Sequence, residues 1–415
     1  MPSDPARPEK PRWMHRHSAP HITTLIMMAG LAALNMNVFL PSLPSMAVFF
    51  EADYAVVSIA VSGYLAMTAA LQLFVGPLSD RFGRRPVMLG SIGIFLVATL
   101  GCILAQDVWT FLAFRMLQAA VATGMVLSRA VVRDLVDQDR AASMIGYVTM
   151  GMALMPMIGP SIGGWLDTFL VWQANFVFTA VMGVLVMLLV WFDMGETNQT
   201  NSASMTAQFR QYPGLVSSHR FWGYAEVAAF ASGAFFAFLG GGPYVSAEVL
   251  GIGPAQVGFY FALIAVGYML GNLFSGLYSV RVWRIRTMII GSILSTLGMT
   301  GGLLLFLLGY IHPMSLFGAI FFVGLGNGLS MPASLAGIVS VRPSLAGSAS
   351  GLGGAVMIGG GAAISAITGA LLGPGAGPYP LLLMMLGSSV LSVLAALYVL
   401  YIARLRAAEA AGPGT

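Results

Sequence analysis

The stretch GPLSDRFGRRPVM, residues 76–88, places one acidic and three basic side chains in a chain that is otherwise strongly apolar. A second stretch, GLYSVRVWRIRTM, occupies residues 276–288, so it lies 200 positions further along the chain. Five of the thirteen aligned positions are identical, which indicates that the chain contains two copies of one structural unit. The identical pairs are Gly76/Gly276, Ser79/Ser279, Arg81/Arg281, Arg84/Arg284 and Met88/Met288.

The composition of the chain argues against a soluble protein. Of its 415 residues, 58% are hydrophobic and 8% are charged, whereas soluble domains carry about 25% charged residues. The lipid bilayer is therefore the expected solvent. The net charge is only +4 with a single lysine, so no basic surface for nucleic acid is expected. The single cysteine, Cys102, excludes an intramolecular disulfide and argues against a cysteine-ligated metal site.

Twelve runs of about 20 mostly apolar residues are each long enough to cross a bilayer as a helix. The first 20 residues are polar and lack the apolar core of a signal peptide, so they are predicted to be a solvated tail. The predicted spans are residues 21–41, 55–75, 87–106, 108–132, 141–166, 173–193, 221–245, 255–278, 288–311, 314–340, 347–372 and 379–403.

The basic residues give the orientation of these spans. With the N-terminus in the cytoplasm, 17 of the 19 arginines and lysines fall on the inner side, and the other two lie in the fourth span. Because positive charge is retained on the cytoplasmic side of membrane proteins, both termini are predicted to be cytoplasmic. A missed span would have scattered the arginines to the outside.

The longest polar break divides the chain into two halves of six spans. Both charged stretches then lie on the inner side, each between the second and third spans of its half. Two parallel repeats of this kind are a known transporter plan. The predicted segments are a cytoplasmic tail at 1–20, a six-helix bundle at 21–193, a cytoplasmic linker at 194–220, a second six-helix bundle at 221–403 and a tail at 404–415.

Three motifs are GPLSDRFGRRP at residue 76, RMLQAAVATG at residue 115 and GPSIGG at residue 159. With these motifs the chain resembles the twelve-span transporters of the major facilitator superfamily. It is most similar to the drug:proton antiporters of the bicyclomycin/chloramphenicol-resistance subgroup, over essentially the whole chain after residue 20. The resemblance implies an all-α membrane protein with twelve transmembrane helices in two pseudo-symmetric six-helix bundles.

In this family the first motif latches the two halves in the outward-open state, together with an acid at the inner end of the fourth span. The residues themselves suit this place, because Gly83 permits a tight turn and Asp80 can accept a hydrogen bond from Arg84. Val280 replaces the acid in the second copy, so latch chemistry is expected in the first half only. The predicted latch residues are Gly76, Asp80, Arg81, Gly83, Arg84, Arg85 and Asp134.

The second motif places Arg115 inside the fourth span. A buried arginine is costly and is usually partnered and functional, although its side chain could instead extend to the outer headgroups. The family has Arg-x-x-Gln here, implicated in proton coupling, and Arg115 and Gln118 match it. The glycines that follow in the family are replaced by Ala119 and Val121.

The third motif gives the best sequence evidence for the direction of transport. Small residues let helices pack closely, and a proline loosens the helix that contains it. Exporters of the family carry Gly-Pro-x-x-Gly-Gly in the fifth span, and its importers generally do not. General glycine packing is the alternative reading of the motif. The matching residues are Gly159, Pro160, Gly163 and Gly164.

Proton exchange needs a side chain that gains and loses a proton. Relatives in the subgroup often have an aspartate where Asn37 stands, and asparagine cannot titrate. Glu226 is the one carboxylate predicted to lie well inside a span, so it is predicted to carry the proton. The alternative is that Glu226 reaches the inner headgroups beside Trp222, which leaves Asp80, Asp134 and Asp193 as other candidates.

Substrate is expected to bind between the halves near the middle of the bilayer. The chain has 27 methionines and 11% aromatic residues, which suit adaptable binding of apolar ligands. Helix packing is the alternative role for any one of these side chains. The predicted cavity residues are Asn35, Asn37, Tyr64, Tyr147, Phe235, Phe236, Tyr260, Tyr268 and Asn327.

These patterns predict a bacterial inner-membrane transporter, acting as a monomer, that exports lipophilic small molecules in exchange for protons. The substrates include neutral, phenicol-like drugs, and no enzymatic activity and no cofactor are expected. A transporter of a native metabolite on the same fold is the first alternative. A channel or receptor is the second, and the duplicated inner loop argues against it because a channel needs no latch between halves.

Overall fold

The computed structural model describes residues 19–135, 138–198, 212–278, 284–342 and 345–410. Within these ranges the chain is helical. The α-helices are α1 (Ile22–Asn37), α2 (Leu43–Phe49), α3 (Tyr54–Val57), α4 (Ile59–Phe82), α5 (Arg84–Leu104), α6 (Val108–Leu117), α7 (Thr123–Leu135), α8 (Gln138–Phe169), α9 (Gln173–Asp193), α10 (Tyr212–Val216), α11 (His219–Tyr244), α12 (Pro254–Tyr278), α13 (Arg284–Leu307), α14 (Pro313–Ser340), α15 (Ala346–Ala370) and α16 (Tyr379–Ala410).

Eleven helical segments among the described residues are long and apolar enough to cross a membrane. They cover eleven of the twelve predicted spans. The fifth predicted span, 141–166, lies in α8, a continuous helix of 32 residues that is not one of the eleven. The all-α prediction is confirmed, and α8 occupies the place of the remaining span in the first half.

Three spans are interrupted by irregular helical turns. A 3₁₀ turn at Leu40–Ser42 separates α1 from α2 and contains Pro41. A second 3₁₀ segment, Gln118–Ala122, separates α6 from α7 inside the fourth span. In the seventh span, α11 contains Pro243 and continues into a π-helical turn at Val245–Val249. Such irregular turns inside helices often mark functional positions.

The helix ends follow the capping preferences of their residues. Asp107 caps α6 and accepts hydrogen bonds from the backbone N–H groups of Trp109 at 3.0 Å and Thr110 at 2.9 Å. Hydrogen bonds from Thr110 and this helix N-terminus lower the pKa of the exposed Asp107 carboxyl. Gly83 separates α4 from α5 with φ of +94°, a backbone conformation that side chains oppose. The turn at Gly83 was predicted from the sequence.

The two halves meet along two pairs of helices. Helix α4 packs along α15, where Ala69 lies 3.7 Å from the Cβ position of Gly359 and Gln72 Oε1 lies 2.6 Å from that of Gly354. Helix α8 packs on α12 through close backbone approaches of Gly164 to Pro254. Glycines therefore allow the halves to pack closely at both helix pairs, α4 with α15 and α8 with α12, which we call the two seams.

Candidate transport site

The inner loop after the second span is organised around Arg84. The Arg84 Nη1 atom lies 2.5 Å from Asp80 Oδ1, and its Nε atom lies 3.1 Å from Asp134 Oδ2. Only 10% of the Arg84 side chain is exposed, so these are charge-assisted bonds in a largely shielded place. One guanidinium thus ties the end of α4 to the end of α7 and brings the predicted latch residues Asp80, Arg84 and Asp134 together within the first half.

A further acid, Glu196, completes this loop, and sequence reasoning missed it. Its carboxylate accepts hydrogen bonds from the backbone N–H groups of Arg84 at 2.9 Å and Arg85 at 3.2 Å. Negative charge at a helix N-terminus is favourable because the first N–H groups have no partner within the helix. The Cβ position of Gly83 lies 2.5 Å from Glu196 Oε2, so a larger residue would displace this acid. The only sequence signal was an acid directly after the sixth span.

Further contacts join the loop between α4 and α5 to the residues at and after the end of α9. Asn198 Nδ2 donates to Asp80 O at 2.8 Å, and Arg85 Nη2 donates to Trp191 O at 2.8 Å. Residues 195–198, which we assigned to the linker, therefore bind the first half. Ser79 Oγ donates to Gly76 O at 2.8 Å within α4.

Arg81, another predicted latch residue, differs from the buried Arg84 in its exposure and contacts. It is exposed, and its guanidinium lies 5.3 Å from the ring centre of Phe82. Val280 and Arg281 of the second copy lie outside the described residues, as does the side chain of Arg284.

Arg115 is fully buried inside the first half, with 0% of its surface exposed. Its guanidinium lies between two aromatic rings, 4.1 Å from the ring centre of Phe39 and 4.2 Å from that of Tyr64. A cation placed over aromatic faces is attracted by their electron density. The side chain therefore does not extend to the outer headgroups, which was the alternative interpretation.

The donors of Arg115 are directed to neutral acceptors on three spans. Nη1 donates to Gln118 Oε1 at 2.6 Å and to Asn35 Oδ1 at 3.3 Å. Nη2 donates to Asn35 O at 3.0 Å, and Nε donates to Ala60 O at 3.3 Å. Gln118 Nε2 in turn donates to Thr99 Oγ1 at 2.8 Å. We call Arg115, Asn35, Tyr64, Gln118 and Thr99 the arginine cluster, which links spans one to four.

Two predicted cavity residues belong to this cluster. Asn35 and Tyr64 are each only 1% exposed, and Asn35 Nδ2 donates to the Tyr64 hydroxyl at 3.3 Å. The 3₁₀ segment after α6 begins at Gln118, so the fourth span departs from α-helix directly beside Arg115. The cluster is thus a polar core between helices.

The Gly-Pro-x-x-Gly-Gly motif lies where α8 meets both the first span and the second half. The Cβ position of Gly163 lies against the carbonyl group of Val38 and 3.1 Å from Asn175 Oδ1. Gly164 approaches the carbonyl of Pro254, and the carbonyl of Pro160 lies against Gly258. Gly159 is also close to the first span, with its Cβ position 3.4 Å from Leu34. The motif therefore permits close approach on two sides of α8.

The remaining predicted cavity residues are distributed along several helices. Asn37 is fully buried, and its Nδ2 donates to Ala33 O at 2.7 Å. Tyr147 is 53% exposed. Tyr260 stacks on Phe317 with ring centres 4.7 Å apart.

Four further predicted cavity residues also lie in the second half. The ring of Phe236 packs against Gly361 of α15, and the centres of the Phe235 and Phe236 rings are 5.9 Å apart. The Tyr268 carbonyl accepts a hydrogen bond from Asn272 Nδ2 at 2.9 Å. Asn327 is buried, and its Oδ1 atom has no hydrogen-bond partner among the described residues.

Glu226 lies in α11 of the second half, apart from the arginine cluster. On the same helical face, Ala229 packs on Gly360 of α15, and Gly233 packs on Ile364 of α15 and Ser388 of α16. Residues three and seven positions apart share a helical face. Glu226 therefore shares the helical face of α11 that packs on α15 and α16. It is partly exposed.

Asp193, another candidate proton carrier, has structural partners. Asp193 is buried at the end of α9, where its Oδ2 accepts hydrogen bonds from Thr24 Oγ1 at 2.5 Å and from His21 N at 2.8 Å. It thereby caps α1. The part of the chain that the structure describes contains no group of three or more His, Cys, Asp or Glu side chains that could hold a metal ion.

Two bundles of membrane-spanning helices that pack through glycine seams define the architecture of a secondary transporter. The chain belongs to the Major Facilitator Superfamily, whose family model matches residues 25–366. It is accordingly a multi-pass membrane protein and a transporter, as the sequence predicted, and not an enzyme.

Three relatives show where the chain stands within the family. It is 32% identical to the chloramphenicol resistance protein of Pseudomonas aeruginosa over 59% of each chain. It is 28% identical to the bicyclomycin resistance protein homolog of Haemophilus influenzae, over 85% of this chain and 88% of the relative. Multidrug resistance protein D of Escherichia coli is 27% identical over 88% of this chain and 92% of its own length. The predicted resemblance to this group is confirmed.

Solved structures show the same fold at low sequence identity. The crystal structure of a D-xylose-proton symporter superposes with a TM-score of 0.71 and 14% identity, covering 91% of this chain and 96% of the symporter. A bacterial homolog of the human lysosomal transporter Spinster, in an inward-facing and occupied conformation, gives a TM-score of 0.70 and 17% identity, over 92% and 96% of the two chains. These similarities support the major facilitator fold.

Proposed function

We propose that this protein exports lipophilic small molecules, including neutral phenicol-like antibiotics, in exchange for protons. The observation that carries the proposal is the fit of Gly163 and Gly164 in α8, which lie against the first span and the second half. This close approach fits the role of the exporter motif. The names of the relatives, which refer to chloramphenicol, bicyclomycin and multidrug resistance, support drugs as substrates.

The scarcity of acids within the spans bears on the chemistry of the substrate. Arg115 is buried among neutral acceptors, and Asn37 occupies the position where relatives often carry an acid. A permanently cationic drug would need a carboxylate to offset its desolvation in the bilayer. We therefore propose that neutral lipophilic substrates pass between the two halves. The predicted cavity residues are proposed to line this passage.

Proton coupling is assigned to the arginine cluster together with Glu226. The contact of Arg115 with Gln118 at 2.6 Å supports the family role of this pair. The ion pairs of Arg84 with two acids support a latch function for the inner loop, in which Gly83 permits the turn between α4 and α5. Gly76 in α4 and Arg85 in α5 lie on either side of this turn. Arg81, which is exposed, would serve this latch at the inner membrane surface.

The orientation of the protein in the membrane is inferred from its charge distribution. We assign it to the bacterial inner membrane with both termini in the cytoplasm, acting as a monomer with the proton gradient as its energy source. No cofactor and no nucleic acid partner are proposed. Export of a native metabolite is the second candidate, because the motif sets direction without specifying the cargo. A channel is disfavoured because the two seams and the latch suit alternating conformations.

The proposal is tested in two steps. A panel of antibiotics is applied to a host that lacks its own efflux pumps, with and without this protein, and resistance to phenicols is expected to rise. The purified protein is then placed in vesicles with an imposed pH gradient, and drug is expected to accumulate against its concentration gradient. Passive equilibration that never exceeds the external concentration would identify a channel. Uphill transport of a metabolite without any drug transport would favour the second candidate.

A further inference from the structure

The outer ends of the two halves are joined by hydroxyl groups that donate hydrogen bonds to glycine carbonyls. Tyr54 Oη donates to Gly240 O at 2.8 Å, and Ser161 Oγ donates to Gly258 O at 2.8 Å. In both bonds the donor belongs to the first half and the acceptor to the second half. These bonds must break whenever the outer ends of the halves separate.

Tyr54 occupies the centre of this contact. Its side chain is buried, and its ring centre lies 4.9 Å from that of Tyr244 on the second half. One helical turn further along the second span, Ser58 packs directly against Gly369 of α15. The beginning of the second span therefore touches both α11 and α15, so a movement of either helix is transmitted to Tyr54.

The acceptor is a backbone atom on a closely packed helix. The Cβ position of Gly240 lies 2.5 Å from Ser365 Oγ, so α11 and α15 approach each other too closely for a side chain at this position. The Gly240 carbonyl is consequently fixed in place by the packing within the second half, and the Tyr54 hydroxyl is the partner supplied by the first half.

We infer that Tyr54 is an outer gate residue, whose hydroxyl holds the outside closed and must release Gly240 each time the transporter opens outwards. The inference rests on the alternating access of the proposed function. A buried hydrogen bond between neutral groups changes an equilibrium by about fivefold when it is lost. Loss of the hydroxyl therefore increases the outward-open population without altering the latch or the arginine cluster.

The test measures the opening itself. The full chain with Cys102→Ala receives spin labels at Gln106→Cys and Tyr310→Cys, which are exposed outer positions, one in each half. Distances between the labels are recorded in lipid nanodiscs by pulsed electron paramagnetic resonance. In Tyr54→Phe, the population with the longer distance is expected to rise about fivefold over wild type.

The matched control is Tyr244→Phe, because the Tyr244 hydroxyl donates to Gly373 O at 2.7 Å within the second half. Its distance distribution is expected to equal that of the wild type. Ser161→Ala is the second variant, and it is expected to shift the population in the same direction as Tyr54→Phe. An unchanged distribution in Tyr54→Phe, or an equal shift in Tyr244→Phe, overturns the inference. The measurement needs neither substrate nor a pH gradient, so such a result leaves the export proposal standing.

Discussion

Glu196 accepts a hydrogen bond from the backbone N–H of Arg84 at 2.9 Å, although the two residues are 112 positions apart in the chain. The same arginine uses its side chain to hold Asp80 and Asp134. The end of the sixth span is thereby fixed to the loop between the second and third spans. The inner surface of the first half is therefore one connected polar unit, to which four separate helices contribute.

Replacing Glu196 with alanine is expected to loosen this unit. The first N–H groups of α5 would lose their acceptor, and the thermal midpoint should fall by about 1 °C, the shift that a lost cap of about 1 kcal/mol causes in a chain of this length. Thermal unfolding of the purified protein measures this. Glu51→Ala serves as the control, because Glu51 is an exposed acid on the outer side. An unchanged midpoint in Glu196→Ala would show that this cap contributes nothing.

Arg84→Ala is expected to reduce transport at least about tenfold while membrane insertion is retained, because two carboxylates would lose their shared cation. Asp80→Asn should act in the same direction. Arg284→Ala, the matching change in the second copy, should have a smaller effect because Val280 has replaced the acid there. Drug efflux from cells at equal expression is the measurement. Wild-type efflux in both first-half variants would refute the latch.

Arg115→Lys keeps the charge but loses the planar group that lies between Phe39 and Tyr64. Lysine cannot serve Gln118 and Asn35 with the same fixed geometry, so transport should fall about tenfold or more. Initial export rates in vesicles provide the measurement. Arg220→Lys is the control, because Arg220 makes a hydrogen bond to the single hydroxyl of Ser340 at 3.2 Å. Normal rates in the Arg115→Lys variant would show that transport needs only a positive charge at this position.

Gly163→Ala is expected to destabilise the protein by about 1–3 kcal/mol, because the added methyl group meets the carbonyl of Val38 and the backbone must move. Gly301→Ala in α13 is the matched control, since nothing lies within 4 Å of its Cβ position. Denaturation midpoints and transport rates of both variants are compared. Equal behaviour of the two variants would contradict the close approach at Gly163.

Glu226→Gln keeps the shape of the side chain but cannot release a proton. Drug binding and downhill exchange should persist, while uphill export driven by a pH gradient should fail. Binding is measured by fluorescence quenching and export in vesicles. Uphill export by the glutamine variant would place the proton on another group. Loss of drug binding would identify Glu226 as a substrate contact or a structural residue instead.

The features predictable from the sequence were those that depend on local pattern. Apolar runs located the spans, and the charged stretch at 76–88 located the inner loop, because both signals are contiguous in the chain. The pairing of Glu196 with Arg84 was not predictable, since the two residues meet only after the sixth helix packs beside the third. Asn35 and Tyr64 were expected to line the cavity, and their contacts with Arg115 were not predictable because the three residues lie on three different spans.

Because Gly240 offers a backbone carbonyl, no point mutation can delete the acceptor at the outer contact. A substitution that removes this bond without disturbing the packing of α11 on α15 must therefore change the donor. One base change converts a tyrosine codon into a phenylalanine codon. Under the proposed export function and the inferred gate, a population under antibiotic pressure can thus adjust the balance between outward-open and outward-closed transporters in one step. It can do so while the residues that meet the drug stay unchanged.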